Sequence, residues 1–201
     1  QVMLGTATDE VTVANLAGSG KAIVSANGDG TLKRTDVSDN TLDALGCEGN
    51  GDNAVCYGPG ANATGTNTTA LGAYSTADAS GATASGAGSL ASGEKSVALG
   101  EASSAVGNQS TALGSASYAN GIGSIALGSE SIADGTNVMA QGRGSSAKGN
   151  DTVAIGSQST TSGRNALAFG VQSFADGSDV MALGAGARAT GSRATAVGVG
   201  A

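Results

Sequence analysis

The chain has 201 residues, of which 35 are glycine, 39% are apolar and only 2% aromatic, with no histidine and no tryptophan. A formal charge of −7 leaves no basic face for nucleic-acid phosphates, and the missing histidine removes the commonest general base and metal ligand. No run approaches the ~18 apolar residues of a spanning helix and no charged segment precedes an apolar one as in a secretory leader, so no membrane contact by this fragment is expected.

Residues 1–46 read as a small β-rich N-terminal element or cap. Val11-Thr12-Val13 alternates as a strand. Lys21-Ala22-Ile23-Val24 follows, then the turn signal Asn27-Gly28-Asp29-Gly30, then Thr31-Leu32-Lys33, which together suggest a hairpin. A solenoid needs a cap over its first open edge, and this segment could supply one or be a separate module. Its Asp, Asn and Gly turns lack the D-x-D-x-D-G spacing of a calcium loop, so solvated turns are expected and no metal or cofactor is assigned.

Residues 47–201 are a repeat. Stepping by 14 from Gly58 reaches Gly72, Gly86, Gly100, Gly114, Gly128, Gly142, Gly156, Gly170, Gly184 and Gly198 without a miss. A second glycine register runs seven residues out of phase, from Gly51 through Gly93, Gly107 and Gly121 to Gly191, broken only by Ala79. Alanine stands two before each first-register glycine, with Cys56 the single exception, and larger apolar residues flank it. Ser or Ala stands three after that glycine, and Ala five after it except at Thr161. One unit, residues 96–109, is S-V-A-L-G-E-A-S-S-A-V-G-N-Q.

Each unit holds two stretches of period-2 alternation, each closed by a glycine. Period 2 means strand, and glycine supplies the φ > 0 that tight corners need. Two short strands and two turns make one flattened coil. Stacked at about 4.8 Å with parallel pairing, about ten coils form a rod roughly 50 Å long.

So thin a coil holds only small side chains inside, so Ser96, Ala98, Ser103 and Ala105, with their equivalents, are placed in the interior. Val97 and Leu99 then point out, as do Ile125 and Leu127, Val153 and Ile155, Leu167 and Phe169, and Met181 and Leu183. Over the stack they form an apolar stripe larger than a soluble monomer tolerates, which predicts an obligate oligomer of closed cyclic symmetry. One thicker globular core is the alternative, but scarce aromatics disfavour it. The stripe should weaken at Thr83 and Ser85, which lack large apolar groups, and at Gln141, whose copies would meet near the oligomer axis and must pair or hold water.

Cys47 begins a half-unit that ends at Gly51, and Cys56 takes an alanine place. Both are expected inside the first coil, on its opposed strands. A Cys47–Cys56 disulfide would close an eight-residue loop and stabilise the rod's end by roughly 2–3 kcal/mol, less any strain.

The unit S-V-A-L-G-x-x-S-x-A-x-G resembles the head repeat of YadA-like trimeric autotransporter adhesins over about residues 51–201. The resemblance implies a left-handed parallel β-roll assembled as a homotrimer. It also implies display on a Gram-negative cell surface, anchored to the outer membrane by a C-terminal region beyond Ala201. Partners implied are a host cell-surface or extracellular-matrix protein, as in bacterial attachment and virulence.

Nothing supplies a nucleophile with its base, a carboxylate pair or a cofactor motif, so no enzyme is expected. Candidate receptor contacts are Tyr118, Ile132, Phe174 and Arg188, which share the position four after the first-register glycine. That position alternates opposite to the interior Ser and Ala and should face out, to a receptor or to a neighbouring chain. Two other readings are a structural spacer or self-association module without its own receptor, and an ice-binding solenoid. The latter needs one regular Thr face, whereas the turn positions vary (Glu101-Ala102, Ser129-Glu130, Arg143-Gly144).

Overall fold

The computed structural model describes residues 22–26, 32–36 and 51–201. The chain divides into two compact units, Gln1–Ala44 and Leu45–Ala201. In the first, strand β1 (Ala22–Ala26) pairs antiparallel with β2 (Leu32–Asp36), Ala22 opposite Asp36 and Ala26 opposite Leu32. The two strands expected there are thus paired. The turn at 27–30, the strand at 11–13 and Cys47 lie outside the described residues.

The second unit is a stack of coils. Each coil gives a three-residue strand to one parallel sheet and a strand of two to five residues to another. Sheet I has 11 strands, from Val55–Tyr57 to Thr195–Val197, and sheet II has 10, from Asn62–Ala63 to Arg188–Thr190. Pairing joins each residue to the one 14 later, as in Ala98 with Ala112, Ala112 with Ala126 and Ala126 with Ala140. The all-β parallel roll of 14-residue coils is the architecture that the repeat predicts. Among the described residues no helix is long and apolar enough to cross a membrane.

Alternation sets the inside. Ala98, Ala105, Ser96 and Ser103 are fully buried, while Val97, Leu99 and Ser104 between them are half-buried. The same holds along both sheets, so the core is a column of alanines from Ala63 to Ala189 lined by hydroxyls. A methyl group buries little apolar area. Cohesion comes instead from many identical coil-to-coil backbone bonds, such as Thr111 N to Ser124 O at 2.8 Å and Gly114 N to Leu99 O at 2.8 Å, each worth about 1 kcal/mol net.

The two corners differ. At corner I, the first glycine register, Gly100-Glu101-Ala102-Ser103 closes with Ser103 N donating to Gly100 O at 3.3 Å, and Ala102 has φ +53°. A positive φ at the third residue makes this a type II turn. Gly100 itself sits at φ +131°, and a Cβ there would meet the Gly114 carbonyl carbon at 2.7 Å. Glycine is therefore required twice over, for conformation and for the approach of the next coil. The single proline fits the same logic. Pro59 occupies the second place of the turn closed by Ala61 N to Gly58 O at 3.0 Å, with Gly60 third at φ +66°. Coil-to-coil bonds leave from the third residue instead, as in Tyr74 N to Pro59 O at 2.8 Å, so no bond needs the missing N–H.

Corner II corrects one expectation. From Gly51 to Gly121 its register glycines do not have positive φ; the positive value falls two residues later, at Asn53, Asn67, Lys95 and Gln109. Ala79 interrupts the register there because its backbone is ordinary, and its turn still closes through Ala82 N to Ala79 O at 3.1 Å. From Gly135 onward the corner opens. Gly135 reaches φ +138° and Gly149 φ +111°, and sheet II strands lengthen to Ser146–Asn150, Thr160–Arg164 and Phe174–Ser178. The opened corner houses Val138 and Val180, the largest fully buried side chains.

Candidate interaction surfaces

Two faces remain for contact, and their chemistry is opposite. Sheet I turns out two columns of side chains, on either side of its alanine column. One runs from Val55 through Val97, Ile125, Val153, Leu167 and Met181 to Thr195; the other from Tyr57 through Leu99, Leu127, Ile155, Phe169 and Leu183 to Val197. No charged residue stands in either column. Large apolar groups lie open to solvent in the single chain: Tyr57 is 63%, Leu113 45% and Phe169 53% exposed. All ten residues expected in the stripe lie on this one sheet, the pairs stacked in register from Val97/Leu99 to Met181/Leu183. Thr83 and Ser85 interrupt it where expected, and Gln141 is exposed between Leu127 and Ile155.

Sheet II is mixed. Its outward positions carry Asp78, Asp134, Lys148, Asp176 and Arg188 among Ser, Thr and Asn. Tyr118, Ile132, Phe174 and Arg188 all fall on it, in one column, but as two neighbouring pairs. Tyr118 lies beside Ile132 and Phe174 beside Arg188, with Ser146 and Thr160 between the pairs. Tyr118 and Arg188 are exposed, whereas Ile132 and Phe174 are half-buried. Neighbouring coils stand close enough to cover them: the Arg188 guanidinium lies over the Phe174 ring, 4.5 Å from its centroid, a cation–π contact.

The YadA head domain repeat matches residues 50–75, 63–89, 91–117, 119–145, 133–159, 147–173, 162–187 and 175–201 in overlapping copies. The chain belongs to this family. Its YadA-type coils also bring a solved structure into view: the collagen-binding domain of the Yersinia adhesin YadA is 25% identical over 69% of this chain and 69% of that chain, with a TM-score of 0.33. Among curated proteins none matches.

Reading by glycine register missed one feature of this YadA-type head, a polar ladder along corner II. Asn137 Nδ2 donates to Asp151 Oδ1 at 3.1 Å and Asn165 Nδ2 to Asp179 Oδ1 at 2.8 Å, each from one coil to the next. Asn53 and Asn67 do the same at 3.1 Å. Asn108 Oδ1 accepts from Glu94 N at 3.0 Å, and Asn150 Oδ1 from Thr136 N at 3.2 Å. The signal was available: Asn and Asp recur two after the second glycine, and they tolerate the left-handed conformation best among non-glycine residues. Among the described residues no group of three or more acidic or cysteine side chains converges to hold a metal. Cys56 is half-buried at its alanine place and is disulfide-bonded.

Proposed function

We propose that this chain is the adhesive head of a trimeric autotransporter, displayed on a Gram-negative surface to attach the cell to host cells, extracellular matrix or other surfaces. The observation that carries the assembly is the uncharged face of sheet I. Two uncharged, mainly apolar columns, interrupted by threonines and by Ser85 and Gln141, on a chain whose other sheet is freely charged, suit burial against identical columns of two further copies. Val97, Leu99, Ile125, Leu127, Val153, Ile155, Leu167, Phe169, Met181 and Leu183 form that interface. Sheet II then faces outward and carries the receptor contacts Tyr118, Ile132, Phe174 and Arg188. Residues 1–46 form the N-terminal element and 47–201 the head, with Cys47 bonded to Cys56 at their junction.

Light scattering on the purified chain gives three times 18.8 kDa under this reading; a monomer overturns it. Binding is tested on immobilised matrix proteins and host cells, comparing the chain with a Tyr118→Ala/Arg188→Ala variant. Losing an aromatic and an arginine anchor weakens attachment about tenfold or more, with the circular dichroism unchanged. A chain that trimerises but binds none of these is a spacer or self-association module instead. Mass spectrometry without reductant reads the disulfide, which two free thiols would exclude.

A further inference from the structure

A stack of near-identical coils has a register problem. Within sheet I, Leu99, Leu113 and Leu127 repeat one residue three times, and the residue between the outward columns is alanine in every coil but the one with Cys56. Two such stripes packed together could slide past each other by one coil, about 4.8 Å, and meet almost the same surface. Registers of this kind are held only by features that break the repeat.

Sheet I has two such breaks in its more apolar column. Tyr57, Leu71, Leu99, Leu113, Leu127, Ile155, Phe169, Leu183 and Val197 are all large and apolar; only Ser85 and Gln141 are polar. Each break is flanked on both sides by aliphatic residues in register, Ser85 by Leu71 and Leu99 and Gln141 by Leu127 and Ile155. They stand four coils apart, so a slip that brings Gln141 of one chain level with Ser85 of another leaves four coils uncovered at each end.

We infer that Gln141, with Ser85 as a second mark, sets the axial register in which copies of this chain assemble. The inference rests on the trimeric reading above. In register, three Gln141 amides share one layer, where each carries both donors and acceptors for the others. One coil out of register, each amide faces Leu127 or Ile155 of its neighbours, which offer it no partner. A buried amide left unpaired is penalised by more than its pairing gains. The layer therefore acts against wrong alignments more than it strengthens the right one, as a single buried polar residue fixes alignment between helices of a coiled coil.

The test is self-sorting. The wild-type chain is refolded together with a tagged Gln141→Leu/Ile155→Gln chain, whose layer is moved by one coil, and native mass spectrometry counts the trimers. The expected result is homotrimers of each kind in about tenfold excess over the binomial mixture of indifferent chains. Binomial mixing overturns the inference where a cross-link between the chain ends shows mixed trimers standing flush; mixed trimers offset by one coil keep the amides level and support it. A Gln141→Leu/Leu127→Gln chain moves the layer the other way and is run in parallel; if neither shifted chain trimerises while the wild type does, the layer is tied to its own coil and is no transferable mark, which also overturns it. If the wild type is itself monomeric, it is the trimeric reading that has failed, and the register inference falls with it.

Discussion

Corner I and corner II close the same coil with the same spacing, yet they place different demands on the sequence. Corner I puts glycine at φ between +126° and +140° in every coil, and its interior serines are tied down. Ser75, Ser103, Ser131 and Ser159 each donate from Oγ to the carbonyl of the glycine three back, at 2.8 to 2.9 Å. Corner II keeps its register residue at an ordinary φ through Gly121 and accepts an alanine there at 79. Its equivalent hydroxyls at Ser96, Ser110, Ser124 and Thr152 are buried without a hydrogen-bond partner. Where corner I holds only serine or alanine, corner II also takes the larger Val138 and Val180. A perfect period can thus conceal two corners, one rigid in its chemistry and one permissive.

The largest effect that tests this contrast comes from glycine. Gly100→Ala forces a side chain into a glycine-only conformation and against the Gly114 carbonyl, and should cost about 3–4 kcal/mol in denaturant unfolding. Gly93→Ala at corner II meets the Gly107 carbonyl but has no conformational penalty. Ala79 shows that a coil can shift to accept it, so about 1–2 kcal/mol is expected. Equal losses would mean that the corners are alike.

A serine pair is smaller and sharper. Ser103→Ala removes a hydrogen bond of 2.9 Å and should cost about 1 kcal/mol. Ser110→Ala removes a buried hydroxyl that bonds to nothing, and should be neutral or stabilising by a few tenths of a kcal/mol. Thermal melts of the two variants against wild type decide it, and a matching loss at Ser110 would show that its hydroxyl is paired in solution. Smallest of all, Glu101→Pro copies the Pro59 turn at a position whose N–H makes no backbone hydrogen bond, and should stabilise by about 0.5 kcal/mol through the unfolded chain. A loss of stability there would mean that corner I is less uniform than its φ values indicate.

Much of this was legible in the residues because 14-residue periodicity ties local pattern to global position. Once Ala98 is assigned inward, Val97 and Leu99 must face out, and every other coil follows. The glycine count alone could not separate the corners, since a glycine kept for φ and one kept for the approach of the next coil look the same in sequence. Ala79 was the clue, an apparent defect that marked where φ was not the constraint. The opening of corner II at Gly135 left no trace in the spacing, because Val138 and Val180 occupy places that elsewhere hold serine, threonine or alanine. On sheet II, the column containing Phe174 and Arg188 was legible, but not the stacking of one on the other, which depends on rotamers.

The coil-to-coil hydrogen bonds, Thr111 N to Ser124 O and its many equivalents, all point along the rod. Tension applied at the rod's end therefore loads one coil's bonds at a time instead of shearing many together. Each coil that peels away frees 14 residues, roughly 46–50 Å of extended chain, while the coils below keep their own bonds. A stack of such coils pulled from one end would lengthen in equal steps of one coil each.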